Sequence, residues 1–273
     1  MYFKKNNYKF KNNELKKYIN EFYSLYKKRP IKHNKGGMYF GNMFGLFCLL
    51  KKIKPKHVIE SGVYKGQTSW LIEKVLPKTK ILSIDPDLSK RIYISKKIKY
   101  STIDFKYQNF TNIPKDTLVF FDDHQNQIDR LIQAKWIGIK YVVFDDNYAV
   151  GEGDFYTLKH AYHQKGYSHP LTVRNMIKSS LIFFIMMFKK KFFNNYYFST
   201  DVLKSRFRDQ LPNKFDFFNV KKNIQIYLEF PPIFKKRNQN SIKSILSNND
   251  KKKFDLSDKE LTSHSSVTFI KLK

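Results

Sequence analysis

Acidic side chains stand at the ends of five short apolar runs in the middle of the chain. They are Glu60, Asp85, Asp104, the pair Asp122 and Asp123, and the pair Asp145 and Asp146. A single acid in such a place is readily explained as a helix cap or a turn former. Acids at all five ends indicate a binding site, because carboxylates accept hydrogen bonds from hydroxyl and amine groups and bind divalent cations.

Two glycines, Gly62 and Gly66, directly follow the first of these runs, although the chain has only 10 glycines in 273 residues. Glycine allows a sharp turn from strand to helix, and it lets a ligand approach the main chain without a Cβ in the way. The spacing is G-x-x-x-G, whereas a dinucleotide fingerprint has G-x-G-x-x-G. A nicotinamide dinucleotide is therefore disfavoured.

A parallel sheet would bring these residues together. Strands are predicted at 57–61, 80–85, 100–105, 117–122 and 141–146, with helices at 68–76 and 126–137 between them. This alternation predicts βαβ units with helices on both faces of a parallel sheet. In a doubly wound sheet of this kind, ligands bind beyond the carboxyl ends of the strands, near the point where strand order reverses. Two later runs, 223–230 and 265–273, predict two more strands.

The flanks of this region have a different character. Residues 12–30 space their apolar side chains as an amphipathic helix, and a second apolar helix ends before Pro55. We expect residues 1–55 to form a helical cap on a main domain of residues 56–273. A polar stretch at 235–260 is expected to be a flexible loop.

The segment LIFFIMMF, residues 181–188, lies within an apolar and basic stretch at 171–198 that is expected to be a helical insertion. Even with its flanks it is shorter than the roughly 20 residues needed to span a bilayer. Two interpretations remain open, a buried helix and an interfacial anchor with a basic rim.

Composition limits the class of protein. The 41% apolar content favours a folded chain, and the single cysteine, Cys48, excludes an intrachain disulfide framework. The first residues do not match a secretory signal, so we expect a cytoplasmic protein. The net charge of +29 would favour an anionic partner, but it is +13 over residues 1–56, only +2 over 57–160 and +14 over 161–273. An A- and T-rich genome, which enriches lysine, explains the charged flanks equally well.

The segments VIESGVYKGQTS and ILSIDPD resemble motifs of a known family. They resemble the cofactor-binding motifs of class I S-adenosylmethionine-dependent methyltransferases, in the form E-x-G-x-Y-x-G-x-[ST] of catechol and caffeoyl-CoA O-methyltransferases. The resemblance covers roughly residues 40–160. It implies a Rossmann-like, doubly wound, mostly parallel α/β sheet of seven strands, of which the last is antiparallel, with helices on both faces.

By this resemblance, eight residues would bind the cofactor. They are Glu60, Gly62, Tyr64, Gly66, Thr68, Asp85, Asp104 and Asp122. The turn would hold the methionine part, Asp85 the ribose hydroxyls and Asp104 the adenine amino group. These roles suit carboxylates, which accept two hydrogen bonds from a diol or one from an amine. The competing explanation is an α/β domain with a tight first turn and no cofactor.

The resemblance also implies a divalent metal. In the catechol-type enzymes, and in the related cephalosporin hydroxylase and macrocin O-methyltransferase group, acids after the fourth and fifth strands bind the ion. The matching positions are Asp122, Asp146 and Asn147, with Asp123 and Asp145 as alternates. Oxygen ligands of this kind suit Mg²⁺, which would lower the pKa of a bound hydroxyl. Alternatively, one aspartate of each pair caps the next helix while the other touches the cofactor.

The general base is the point at which this chain departs from the catechol family. Where that family has a lysine after the first metal acid, this chain has Gln125, preceded by His124. His124 could accept the proton of the acceptor hydroxyl, since its ordinary pKa lies near neutrality. It could equally be a loop residue or a partner of a metal ligand. Three later histidines, His160, His163 and His169, are expected to be packed or solvated.

The resulting prediction is an enzyme that methylates a hydroxyl of a small molecule or carbohydrate, with divalent metal assistance left open. An alternative is a non-catalytic methyltransferase-like module that binds nucleic acid or an anionic membrane through its basic flanks. Sequence-specific nucleic-acid binding is not expected, because RNA-reading aromatic motifs are missing. A third possibility is different chemistry on the same scaffold, as in the hydroxylase of the related group.

Overall fold

The structure is a computed structural model that describes residues 9–165, 214–234, 243–263 and 266–273, together with residues 181, 184 and 185. The strands are β1 (His57–Ser61), β2 (Lys80–Ile84), β3 (Ile98–Ser101), β4 (Thr117–Phe121), β5 (Tyr141–Phe144), β6 (Ile224–Glu229) and β7 (Thr268–Leu272). The helices are α1 (Asn12–Tyr26), α2 (Phe40–Ile53), α3 (Gln67–Val75), α4 (Gln127–Trp136), α5 (Leu158–His163), α6 (Lys214–Asn223) and α7 (Asp258–Thr262). Short 3₁₀-helices cover Leu88–Lys90, Phe105–Tyr107 and Asn248–Lys253.

The seven strands form one sheet in the order β3-β2-β1-β4-β5-β7-β6. Strands β1 to β5 pair in parallel, and β7 is antiparallel to both of its neighbours. This confirms the predicted doubly wound sheet with an antiparallel last strand. The order reverses between β1 and β4, so a crevice opens where these two strands end.

Helices cover both faces of the sheet, as predicted. On one face α1, α2 and α3 pack on inward side chains such as Val58 and Phe120. On the other face α4, α5 and α6 pack on side chains such as Val119 and Phe144. Every residue of β4 is buried, which is what a central parallel strand covered on both faces requires.

The N-terminal helices, predicted to form a cap on the main domain, pack directly on the sheet. All residues of α2 from Phe40 to Leu50 are buried, and the helix shares the core that covers the sheet. Helix α1 buries the four side chains Leu15, Ile19, Phe22 and Tyr26, whose spacing places them on one side. Helices α1 and α2 therefore belong, with α3, to the layer that covers one face of the sheet.

Two other segments differ from expectation. The third strand is Ile98–Ser101 and not 100–105, because the pairing runs from Ile81↔Ile98 to Ile84↔Ser101. Asp104 instead caps the following 3₁₀-helix by accepting a hydrogen bond from Lys106 N–H at 2.9 Å.

Within the range predicted as a flexible loop, residues 243–260 contain 3₁₀ and α-helical turns. Their buried side chains Ile245 and Phe254 anchor this stretch to the core.

Residues 171–180, 182–183, 186–198 and 235–242 of the predicted insertion and loop lie outside the described residues. Of the apolar segment, Leu181, Phe184 and Ile185 are described, and all three are exposed. Within the described ranges, no helix is long and apolar enough to cross a membrane.

Candidate active site

The turn after β1 forms one wall of the crevice, and its glycines are required by the packing of the chain itself. Gly62 and Gly66 have φ values of +100° and +85°, which favour glycine. A Cβ on Gly62 would collide with the backbone of Asp122, and one on Gly66 would lie 2.7 Å from the carbonyl oxygen of Tyr93. Packing of the chain is therefore a sufficient reason for both glycines, and the expectation that they also make room for a ligand stays a prediction.

Asp85 holds this turn in place. Its Oδ2 accepts hydrogen bonds from the backbone N–H groups of Val63 and Tyr64, both at 2.9 Å, and its Oδ1 accepts one from Asp87 N–H at 2.9 Å. A carboxylate oxygen has two lone pairs, so Oδ2 is saturated and Oδ1 can accept one more bond. Asp85 both shapes the turn and faces the crevice.

Three of the predicted cofactor residues, Glu60, Gly66 and Thr68, are not among the residues that line the crevice. The side chain of Glu60 is fully buried beneath α3, where its Oε2 accepts hydrogen bonds from Ser69 and Ser83, both at 2.5 Å. Burial raises the pKa of Glu60 to about 7, although the two serine hydroxyls oppose this shift. Thr68 is likewise buried and lies 3.6 Å from the sulfur of Met38.

Arg130 is a buried site residue that the sequence did not reveal. Its guanidinium binds Asp104 through Nη1 at 3.0 Å and Nη2 at 2.6 Å. The same group binds Oδ2 of Asp123, which also accepts a hydrogen bond from the Ser61 hydroxyl at 2.7 Å. One cation from α4 thus fixes the carboxylates that follow β3 and β4. The feature of the sequence that could have indicated Arg130 is its position seven residues after Asp123.

The crevice consists of two adjoining pockets. The first, here called the turn pocket, encloses about 360 Å³ and is lined by Gly62, Tyr64, Asp85, Asp104, Asp123 and His124, among others. The second, here called the acid pocket, encloses about 350 Å³ and is lined by Asn42, Asp122, His124, Asp145, Asp146 and Tyr148, among others. Both volumes fall in the range of about 300–1,000 Å³ typical of small-molecule sites.

The two pockets share a wall. Asp122 and His124 line both, as do Gly36 and Gly37 of the loop before α2. This loop is tied to the turn by a hydrogen bond of 3.2 Å from the Tyr64 hydroxyl to the carbonyl oxygen of Lys35. The sequence motifs described above do not include these two glycines.

Asp122, His124 and Asp146 form a cluster in this shared wall, and one potential ligand atom of each lies within 4.8 Å of the others. Burial, followed by the charges of Asp145 and Asp146, raises the pKa of Asp122 well above its ordinary value. Among the described residues, no lysine or arginine lines the acid pocket. The donor set and its uncompensated negative charge fit a divalent cation.

His124 is oriented by a carboxylate. Its Nδ1–H donates to Asp154, whose two oxygens both lie at 3.2 Å, and its Nε2 lies 3.9 Å from Oδ2 of Asp146. Burial lowers the pKa of His124, but the carboxylates of Asp154, Asp146 and Asp123 outweigh it and the net direction is upward. The imidazole is thus held in the wall that separates the two pockets.

Asn147 does not join this cluster. Its amide Nδ2 donates to the Tyr227 hydroxyl at 2.8 Å and to the Thr268 hydroxyl at 3.0 Å, and its Oδ1 accepts from Lys159 N–H at 3.2 Å. The side chain is fully buried and connects β5 to β7. Of the residues predicted to bind metal, the structure brings together Asp122 and Asp146 but not Asn147.

The alternate metal residues have other partners. Asp123 binds Arg130, and Asp145 accepts a hydrogen bond from Asn42 Nδ2 at 2.6 Å. Burial, and then the charge of Asp146, raises the pKa of Asp145 well above its ordinary value. Asp145 lines the acid pocket as a buried, hydrogen-bonded acid.

Of the later histidines, His160 and His163 are described, and neither lines the crevice. His160 is buried, its Nδ1 accepts from Thr157 N–H at 3.0 Å, and its Nε2 bonds the carbonyl oxygen of Ala149 at 2.9 Å. Burial lowers the pKa of His160 to about 4. His163 is exposed, and His169 lies outside the described residues.

Comparisons with known proteins leave the family open. No family model and no curated protein matches the chain. Among solved structures, PaMTH1 of Podospora anserina, an SAH-bound methyltransferase, matches at 11% identity and a TM-score of 0.42, over 94% of this chain and 88% of that one.

An apo-structure of CmcI matches at 16% identity and a TM-score of 0.35, over 38% of this chain and 51% of that one. An SAH form of CmcI matches at 15% identity and a TM-score of 0.36, over 45% of this chain and 75% of that one. The first of these matches spans about half of the CmcI chain. Similarity this low does not assign the chain to a family, so its function has to be inferred from its own residues.

Proposed function

We propose that this protein transfers a methyl group from S-adenosylmethionine to an oxygen atom of a small molecule or carbohydrate. The observation that carries the proposal is the pair of adjoining pockets at the reversal point of the sheet, which share His124 and Asp122. A two-substrate transfer needs two such sites that open onto each other, so that the reacting atoms can meet.

The turn pocket would hold the cofactor. Asp85 offers one remaining acceptor position on Oδ1 for a ribose hydroxyl. Asp104 would accept from the adenine amino group, in a position fixed by Arg130. The turn from Gly62 to Gly66 would contact the methionine part through its backbone. Bound S-adenosylmethionine would supply a methyl group on a positively charged sulfur.

Electrostatics favour that ligand. The residues that line the two pockets include the carboxylates of Asp85, Asp104, Asp122, Asp123, Asp145, Asp146 and Asp154, whereas Lys90 is the one lysine or arginine among the described lining residues. The chain as a whole carries +29. Arg130 offsets the charges of Asp104 and Asp123, but Asp85, Asp146 and Asp154 still outnumber Lys90, so the crevice favours a cationic group over an anionic one.

The acid pocket would hold the acceptor hydroxyl. Asp122 and Asp146 would bind a divalent ion, for which Mg²⁺ is the first candidate, and that ion would lower the pKa of the hydroxyl. His124 lies on the wall between donor and acceptor, where it could accept the hydroxyl proton or hold the ion. Most of the rate enhancement would come from positioning the two substrates.

The proposal is tested by calorimetric titration of the purified protein with S-adenosylhomocysteine, with and without Mg²⁺. We expect binding with a 1:1 ratio. A labelled methyl group from S-adenosylmethionine should then pass to at least one member of a panel of catechols and sugars. A folded protein that binds no S-adenosylhomocysteine would contradict the proposal.

The two rival functions give different results. Salt-sensitive binding to nucleic acid or anionic vesicles, without cofactor affinity, would favour the binding module with basic flanks. A product heavier by one oxygen atom, formed only without chelator, would favour hydroxylation. The cytoplasm is the expected location under the leading proposal.

A further inference from the structure

We propose that His124, and not Asn147, is the third protein ligand of the metal, and that the site selects a first-row transition ion such as Mn²⁺ or Fe²⁺ over Mg²⁺. The inference rests on the proposed function for the presence of a metal in the acid pocket. It concerns which residues of this chain hold that ion and which ion they prefer.

The positions of the three side chains support a common ligand. Nε2 of His124 lies 3.9 Å from Oδ2 of Asp146. Two atoms bound to one ion at about 2.1 Å each can be no more than about 4.2 Å apart. The full cluster with Asp122 spans up to 4.8 Å. A shift of less than an ångström, which a side-chain rotation provides, would bring all three within range.

Asp154 supplies a second, independent observation. Its carboxylate accepts the Nδ1–H of His124, which leaves Nε2 as the basic nitrogen that faces Asp146. Metal-binding histidines are commonly held in this way, with one ring nitrogen on the ion and the other donating to a carboxylate. The bond fixes both the tautomer and the direction of the ring.

The contacts of Asn147 and Asp122 also favour His124 over Asn147 as the third ligand. Asn147 is committed to Tyr227, Thr268 and Lys159, so it could reach the cluster only by breaking three hydrogen bonds. The carboxylate of Asp122 accepts no hydrogen bond from any described residue. Asp122 is half-buried in the wall of both pockets, close to the charges of Asp145 and Asp146, so a bound cation would stabilise its ionised form.

The donor set decides the preferred ion. An all-oxygen set with several waters suits Mg²⁺, whereas imidazole suits transition ions, whose affinities for mixed sites increase along the first row. One imidazole and two carboxylates form a mixed set. We therefore expect Mn²⁺ to bind more tightly than Mg²⁺ by at least tenfold.

Mn²⁺ is also the probe for the test. Pulsed electron paramagnetic resonance of the Mn²⁺-loaded protein should show coupling to a directly bound ¹⁴N nucleus. His124→Ala should abolish this coupling and weaken Mn²⁺ binding by 10- to 100-fold, which is the usual loss for a ligand or its supporting group. His163→Ala, which removes an exposed histidine outside the crevice, should change neither, and Asn147→Ser should keep the coupling.

Three results would overturn the inference: no ¹⁴N coupling with Mn²⁺ bound, coupling that persists in His124→Ala, or Mg²⁺ binding as tight as that of Mn²⁺. Should His124→Ala fail to fold, His124→Gln takes its place, and a wild-type spectrum without ¹⁴N coupling overturns the inference in either case. S-adenosylhomocysteine binding is measured on the same protein. A protein that shows the ¹⁴N coupling but does not bind S-adenosylhomocysteine would contradict the methyltransferase proposal and not the proposed metal ligands.

Discussion

The guanidinium of Arg130 forms two hydrogen bonds to the carboxylate of Asp104, at 3.0 and 2.6 Å, across 26 positions of sequence. It also neutralises Asp123, so that one buried cation serves two acids at the edge of the turn pocket. The residue that orders this part of the crevice therefore comes from α4 and not from a strand end.

Removal of Arg130 should be strongly destabilising. Arg130→Ala leaves two partly buried carboxylates without their cation, which typically costs about 3–5 kcal/mol in the free energy of unfolding. Urea unfolding monitored by circular dichroism measures it. Lys97→Ala removes an exposed cation and should change stability by no more than about 0.5 kcal/mol. A loss below about 1 kcal/mol in Arg130→Ala would show that solvent, and not Arg130, stabilises these acids.

Gly66→Ala should abolish S-adenosylhomocysteine binding. The new Cβ meets the carbonyl oxygen of Tyr93 at 2.7 Å, so the turn must move. Gly138→Ala is a matched control, since its φ of +82° is nearly the same but nothing lies within 4 Å of the added Cβ. The control should lose only about 1–2 kcal/mol of stability from the left-handed backbone and should keep its affinity. Equal affinities in both variants would contradict the role assigned to the turn.

Asp85→Ala should weaken S-adenosylhomocysteine binding by at least tenfold, because the Val63 and Tyr64 N–H groups lose their acceptor and the turn loses its shape. Asp87→Ala is the control, as it keeps the backbone N–H that bonds Asp85. Calorimetry of both variants gives the comparison. If Asp87→Ala weakens binding as much as Asp85→Ala, general loop disturbance is the better explanation.

Glu60 should make stability decrease as pH rises. Its pKa is about 7 in the folded protein against 4.5 ordinarily, so between these values the folded state holds a proton that the unfolded chain has lost. The stability that this proton provides is complete below pH 4.5 and is lost as pH passes through 7. The total is about 3 kcal/mol.

Glu60→Gln has no proton to lose at this position and should not show this decrease. The free energy of unfolding of Glu60→Gln minus that of the wild type should therefore increase from pH 5 to pH 8. Unfolding midpoints across this range measure the effect, and Glu152→Gln, at an exposed position, is the control. Asp145 has no contribution from Glu60 and cancels in the comparison, whereas the charge of Glu60 is a minor cause of the raised pKa of Asp122. Parallel curves for wild type and Glu60→Gln would show that Glu60 is ionised in the folded protein.

The parallel sheet and the edge at which the acids gather could be predicted from the sequence, whereas the order of its strands came from the structure. Alternating apolar runs and helical segments fix a parallel sheet, because each strand must bury both faces and each connection must cross over it. The carboxyl ends of such strands share one edge, so Asp85, Asp104, Asp122 and Asp146 had to come close together. The glycines of the first turn were also recognisable, since only glycine tolerates φ values of +100° and +85° there.

The partners of each acid were decided only by the tertiary structure. Whether a carboxylate faces the crevice, as Asp122 does, or lies beneath a helix, as Glu60 does, depends on the pleat and on which side chains approach from elsewhere in the chain. Arg130 reaches Asp104 from α4, and Tyr227 holds Asn147 across 80 positions of sequence. Such contacts join residues that are distant along the chain, so no local pattern of residue types encodes them.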